Sequence, residues 1–175
     1  MASCKTCFVL SAAQILSRID ELSDILETCV NNGASVSFML PFTGDKSRPF
    51  WMSVAQSVER GERIVLGLQN AQGVIVGTVQ LIIEQPENQP HRADVAKLLV
   101  HPSARRGGVA RELMNELENC ARQQGKTLLV LDTATGSGAE LFYHNCGWQK
   151  VGVVPGYAKM PDGTLTGTTL FYKTL

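Results

Sequence analysis

The chain has no excess of charge of either sign. Lys and Arg number 16, Asp and Glu 16, and the net charge is zero. That argues against a nucleic-acid partner, whose footprint is a basic surface. No apolar run approaches the ~20 residues a membrane span needs, so no membrane partner is expected. Histidine is scarce, with three residues; no second Cys pair or His cluster is visible, and His144 beside Cys146 is too local a pairing to carry weight. The pair Cys4-x-x-Cys7 therefore reads as incidental, and no metal site is expected. Cysteines are odd in number, with Cys29, Cys120 and Cys146 beside that pair. The early apolar run is short and broken by Ser11 and Gln14, so no secretory leader is read, and reduced thiols in a cytoplasmic protein are expected. No repeat, low-complexity tract or linker divides the sequence. Its 175 residues suffice for one domain, residues 1–175, with a sizeable core.

What the sequence does have is a stretch around which the rest is arranged, Leu98-Leu99-Val100-His101-Pro102-Ser103-Ala104-Arg105-Arg106-Gly107-Gly108-Val109-Ala110-Arg111-Glu112-Leu113. It reads as a strand end, a turn set by Pro102, a basic glycine-rich loop and a helix start. A helix start carries backbone N–H groups without intrahelical partners, and the helix dipole adds partial positive charge there. Gly107 and Gly108 let a ligand approach the backbone closely. With Arg105, Arg106 and Arg111 nearby, the loop suits a pyrophosphate. It is not a P-loop, which needs Gly-Lys followed by Ser or Thr, and it lacks the dinucleotide spacing G-x-G-x-x-G.

Before this stretch, the pattern predicts a strand over Lys5–Leu10 and a helix from the N-cap Ser11 to about Val30, with Gln14 completing a capping box. The apolar loop Ala34–Asp45 follows, then a helix from about Ser47 with Pro49 in its first turn, ending at Gly61. Strands are expected at Arg63–Gln69 and Val74–Glu84, joined by a hairpin turn at Asn70–Gly73, and at His91–Val100. On the last of these, Asp94, Ala96 and Leu98 alternate onto one face. After the loop, a helix runs from Gly108 to about Gln124, then a strand over Thr127–Thr133. A second capping box, Ser137-x-x-Glu140, opens a short helix through Tyr143. Strands at Trp148–Val154 and Thr168–Lys173 close the chain, joined through Pro155-Gly156-Tyr157 and the turn Pro161-Asp162-Gly163. The order is β-α-α-β-β-β-α-β-α-β-β, an α/β (α+β) fold on one mixed sheet. A C-terminal edge strand at Thr168–Lys173 would allow a homodimer.

The segment Arg105-Arg106-Gly107-Gly108-Val109-Ala110 fits the pattern Gln/Arg-x-x-Gly-x-Gly/Ala, straight after a strand ending in Val-x-Pro. One strand and one helix later comes Tyr143-His144-Asn145-Cys146-Gly147-Trp148, of the form Tyr-x-x-x-Gly-Phe/Trp. In this order the two motifs resemble those of the GNAT family of N-acetyltransferases. A narrower likeness, to acetyltransferases related to the tabtoxin resistance protein, covers nearly the whole chain. It includes Gly33–Val36, His91–Val95, Lys97-Leu98, Pro102–Arg105, Leu131–Thr133, Gly136-Ser137, Pro155–Tyr157 and Pro161–Gly163. Two departures stand out. Many relatives have Arg-Gly-x-Gly where Arg106 and Gly107 are reversed, and many carry Asn where Gly136 and Ser137 stand.

The resemblance implies a central twisted sheet splayed between strands 4 and 5, with acetyl-CoA as cosubstrate. The cofactor residues it implies are Leu98, Leu99, Val100, Arg105, Arg106, Gly107, Gly108, Val109, Ala110, Arg111, Ser137 and Tyr143. Ser137 is left open between cofactor ligand and N-cap. A lysine-like amine has a pKa of ~10.4, so only ~1 in 2,500 molecules is neutral at pH 7 and deprotonation costs ~4.6 kcal/mol. A carboxylate, direct or through water, would take that proton. Asp94 and Asp132 are the candidates, on the strands flanking the splay. Tyr143 would protonate the departing thiolate, and a strand N–H at Leu99 or Val100 would hold the oxyanion. Acceptor-site walls are read at Phe38, Trp51 and Tyr157, aromatic and uncharged, suited to a small-molecule amine such as an amino acid analogue, toxin or antibiotic. The competing readings are a non-catalytic acetyl-CoA-binding regulatory module and a protein Nα- or Lys-acetyltransferase.

Overall fold

Seven strands hydrogen-bond into one mixed sheet in the computed structural model, which describes residues 5–175. Cys4, and with it the Cys4-x-x-Cys7 pair, lies outside those residues. The strands are β1 (Thr6–Leu10), β2 (Arg63–Gln69), β3 (Ile75–Ile82), β4 (Arg92–Val100), β5 (Leu128–Ala134), β6 (Gln149–Lys159) and β7 (Leu165–Thr174). Their spatial order is β1-β2-β3-β4-β5-β7-β6. All neighbours are antiparallel except β4 and β5, which run parallel and pair only at Arg92–Leu128, Ala93–Leu129 and Asp94–Val130. Past Asp94 the two strands part, as the resemblance implied.

Helices cover both faces. On one, α1 (Ala12–Ser17), α2 (Ile19–Asn31) and α3 (Gly44–Glu59) bury Ile15, Leu22, Ile25, Leu26 and Trp51 against Leu10, Val65, Ile75 and Leu99 of the sheet. On the other, α4 (Val109–Gln123) lays Leu113, Met114, Leu117 and Ala121 on Leu66, Val79, Leu81, Ala93 and Val95. The short α5 (Gly138–Asn145) adds Tyr143 to this second core. The stripe expected of α4 is therefore the buried one, with Ala110 at its edge, half-exposed.

The local signals hold where backbone chemistry alone decides. Ser11 and Gln14 form the expected reciprocal cap. Asn70–Gly73 turns as expected, with Gly73 N–H donating to Asn70 O at 2.9 Å. Tertiary contacts alter the rest. The first long helix breaks at Arg18 (φ −114°), whose guanidinium binds Glu21, Gln69 and the carbonyl of Gly73. α3 begins at Gly44, so Pro49 sits inside it rather than in its first turn. The second capping box does not form. Glu140 instead accepts from Gly136 N–H at 2.7 Å and from the Thr169 hydroxyl at 2.9 Å, and Ser137 makes no side-chain cap. β6 continues through Pro155-Gly156-Tyr157 to Lys159, with a register shift between Val154 and Ala158. The C-terminal strand is not an edge: β7 lies between β5 and β6, which leaves β6 at the border of the sheet.

Candidate active site

Where β4 leaves β5, β4 also bulges. Thr78 pairs with Leu99 and Gln80 with Ala96, so Lys97 and Leu98 together oppose the single residue Val79. Lys97 takes φ +53°, a left-handed conformation rarely adopted by residues with a side chain. The extra residue also resets the alternation. Leu98 packs on the α4 side with Ala93 and Val95, and Leu99 joins the α1–α3 core. The expectation that Leu98 shares a face with Asp94 and Ala96 is thus corrected by one bulge.

A cavity of about 140 Å³ occupies the parting of the strands. Its walls are Ser35–Ser37 from the loop after α2, Val95–Leu98 of β4, Asp132 and Thr133 at the end of β5, and Tyr143 of α5. The Asp132 carboxylate accepts from the Thr168 hydroxyl at 3.2 Å. Tyr143 is 7% exposed and packs among Phe142, Trp148 and Phe171. Its hydroxyl makes no hydrogen bond to protein among the described residues. Burial, with Cys146 and Asp132 adding negative potential, pushes the phenol above the ordinary tyrosine value. Tyr143 therefore stays protonated through the neutral range, in the form that donates.

A second groove, of about 400 Å³, is lined by Val100, Ala104, Arg105, Arg106, Gly108, Val109, Ala110, Arg111 and Phe142. It adjoins the cleft, with Val100 following Leu98 by two residues and Phe142 preceding Tyr143. Gly108 is the N-cap of α4 with φ +78° and supplies no side-chain cap. The first N–H groups of α4 thus keep their donors for a ligand, with the helix dipole behind them and three arginines around them. Those donors fit the pyrophosphate of a nucleotide cofactor. The reversed order of Arg106 and Gly107 has a visible effect: Arg106 adopts φ +60°, a conformation glycine takes more readily.

Not every expected residue reaches these sites. Asp94 pairs with Arg92 and accepts from Gln85 at 3.0 Å, below the parting of the strands, and does not line the cleft. Trp51 is fully buried in the α1–α3 core against Phe50, so it is a packing residue and not an acceptor wall. Tyr157 is 60% exposed on β6, away from the cleft lining. Phe38 packs against Phe42 and Phe50 and does not itself line the cleft, lying 5.8 Å from the Lys97 ammonium. Gly107 faces the other side of the loop, beside Lys5 and Asn70. Ser137 approaches Thr133 at 3.4 Å and lines neither cavity. Leu99 is buried in the core. Ser35 and Ser37 lie in the apolar loop after α2, read in the sequence as packing onto the acceptor site, whereas Lys97, Ala104 and Phe142 join the walls without being among the sequence-predicted site residues. Phe142 adjoins the motif tyrosine, a signal that could have found it; the others depend on the fold.

A phosphate-ready helix terminus, a sheet parted between parallel strands and a buried phenol at the parting define a group-transfer fold built around a nucleotide-linked donor. The acetyltransferase (GNAT) family model matches residues 25–148. An uncharacterized N-acetyltransferase of the hisH–hisA intergenic region of Azospirillum brasilense is 30% identical over 116 residues, 65% of this chain and 67% of that one. Among solved structures, a protein of Acinetobacter baylyi ADP1 superposes with TM-score 0.84 at 15% identity, covering 100% of this chain and 95% of that one. The yncA protein of Salmonella typhimurium, solved with its cofactor acetyl-CoA, gives 0.78 at 18% identity over 99% and 95%. The chain belongs to the GNAT family and is an N-acetyltransferase.

Proposed function

We propose that the enzyme transfers the acetyl group of acetyl-CoA to a primary amine of a small molecule, by direct attack of the amine on the thioester. The observation that carries this reading is the convergence of Asp132 and Tyr143 on one cavity beside the uncapped start of α4. The cavity volume of about 140 Å³ favours a small acceptor, since a pocket of ~150 Å³ is filled by a molecule the size of benzene.

Acetyl-CoA, when bound, supplies the activated acyl group and leaves as a thiol. The protein's part is positional and acid–base. Arg105, Arg106, Arg111 and the first N–H groups of α4 hold the pyrophosphate. Asp132, rather than the tied-up Asp94, takes the amine proton directly or through water. Tyr143 delivers its phenolic proton to the departing sulfur. Val100 supplies the oxyanion donor: its carbonyl is taken by Cys29 at 3.5 Å and Arg105 at 3.4 Å rather than by β3, so its N–H also points away from β3.

The test is titration of acetyl-CoA by calorimetry, followed by an amine panel with thiol-release detection. Tyr143→Phe should keep the acetyl-CoA affinity and lower turnover by about 10²–10⁴-fold, the range for a general acid. Loss of binding in parallel with turnover would mean that Tyr143 is structural. No binding by the parent enzyme would sink the pyrophosphate site and the reading with it.

A further inference from the structure

Lys97 is the cationic side chain in the cleft wall, and the family motifs leave it without a role. Its backbone is held left-handed by the β4 bulge, and its long charged side chain joins the lining of the parting of the sheet. There the ammonium lies 3.1 Å from the Ser37 hydroxyl and 5.8 Å from the centre of the Phe38 ring. An ammonium has three donors; Ser37 accepts one, and Lys97 enters no ion pair among the described residues. Burial lowers its pKa below the ordinary lysine value, opposed by the charge of Asp132 and reinforced by that of Arg63. A half-buried cation with donors beyond the one given to Ser37, set by an unusual backbone conformation at the cleft, can bind an anion that enters there.

Across the cleft, at the end of β5, the lining carboxylate is Asp132, engaged only by Thr168 among the described residues. Lys97 and Asp132 do not neutralise each other by direct contact. The cavity thus presents a positive and a negative group, separated, on opposite walls. Such a site matches a zwitterion. The amine end meets the carboxylate that takes its proton, and an acidic end meets the ammonium. An acceptor bearing only an amine brings a second cation into a cleft that already holds one and has Arg63 close by.

We propose that the acceptor is an amine that also carries a carboxylate, as an α-amino acid does, and that Lys97 is the specificity-determining residue that binds this carboxylate. The inference rests on the cleft being the acceptor site of the proposed acetyl transfer.

The experiment compares a panel of L-amino acids with the matching amides, which keep the amine and lose the negative charge. Parent enzyme, Lys97→Asn and Lys97→Arg are assayed, Asn being chosen because it tolerates the left-handed backbone. The parent should prefer acids to amides. Lys97→Asn should shrink that preference about tenfold or more, through KM rather than kcat, and Lys97→Arg should restore part of it. Equal use of acids and amides by the parent, or an equal loss on both in Lys97→Asn, overturns the proposal. Calorimetric titration of the N-acetyl amino acids into CoA-saturated enzyme gives a readout free of turnover, and Lys97→Gly repeats the comparison if the Asn variant does not fold. Binding by the parent that weakens in the variants supports the carboxylate site. Acetyl-CoA binding without any binding of carboxylates overturns this inference alone, whereas failure to bind acetyl-CoA removes the transferase reading and this one together.

Discussion

Gly77 is the point at which the start of α4 touches the sheet, and it offers the sharpest test of how the anion site is positioned. A methyl group at Gly77 would lie 2.6 Å from Val109 Cγ1 and 3.0 Å from Leu113 Cδ1. Carbon atoms pack at ~3.5–4.0 Å, so the first turn of α4 would have to lift by about 1 Å. Overpacking of this kind costs about 2 kcal/mol, which for a chain of this size lowers the melting temperature by roughly 4–8 °C. The same lift displaces the N–H groups after Gly108 from a bound pyrophosphate. A misplacement of ~1 Å at an active site can cost ~10²-fold. Gly77→Ala should therefore lose acetyl-CoA affinity as well as stability, although Gly77 lines neither cavity. Calorimetry and thermal denaturation of Gly77→Ala, Val109→Ala and the double variant form a complete cycle. Because Val109→Ala removes the clashing methyl, the double variant should be less destabilised than the sum of the two single changes. A Gly77→Ala protein with unchanged melting temperature and acetyl-CoA affinity would refute the reasoning, and so would strict additivity in the cycle.

Other expectations are simpler to state. Arg106→Gly should relieve the left-handed backbone, stabilising the fold by about 1 kcal/mol, while weakening acetyl-CoA binding through the lost charge; a stability curve and a titration at two salt concentrations separate the effects. Hydrogen bonds from Arg60 and Ser57 hold Glu62 down to about 2 from an ordinary 4.5. The folded-state pKa is depressed, so this stabilisation is present above about 4.5 and is lost as pH falls toward 2; Glu62→Gln should flatten the melting temperature against pH across that window. The raised pKa of Tyr143 places no alkaline limb from this residue below the ordinary tyrosine value of ~10, and a pH profile of kcat with a Tyr143-dependent limb near pH 8 would contradict its assignment as a desolvated acid.

The parts of the site that were readable in advance are those in which each residue acts through its own backbone. Gly108 ends a loop and opens a helix because of local conformational freedom, and Ser11 caps because its hydroxyl reaches three residues ahead. Asp132 and Tyr143 could be placed because a continuous apolar strand and a family motif delivered them to strand and helix ends. Lys97 could not. Its left-handed conformation is imposed by pairing with Val79 across the sheet, and alternation along β4 continues undisturbed in the sequence while the bulge shifts it in space. Trp51 reads as a pocket wall in the sequence because an aromatic residue on a helix beside an apolar loop has no mark distinguishing core from lining. Glu140 failed its expected cap because Thr169 and Lys150, far along the chain, draw its carboxylate toward Gly136. The border of the sheet is hidden in the sequence for a related reason: which of two C-terminal strands sits inside depends on β5, not on either strand's own sequence.

That interior position of β7 bears on how the chain acquires its shape during synthesis. β2, β3 and β4 emerge in the order in which they pair, so the first half of the sheet can form as a meander while the ribosome is still at work. The second half has no such sequence. β5 meets β4 at only three residue pairs before β7 arrives, and β6 has no strand partner until β7 comes between them, when Leu175 N–H closes on Thr127 O at 2.9 Å. Removing the final ten residues of the described chain would not trim a border but withdraw the middle strand of a half-sheet. A nascent protein stalled before β7 would expose β6 unpaired, the open edge of β5 and the Tyr143 face at once, the state in which this polypeptide is most open to aggregation.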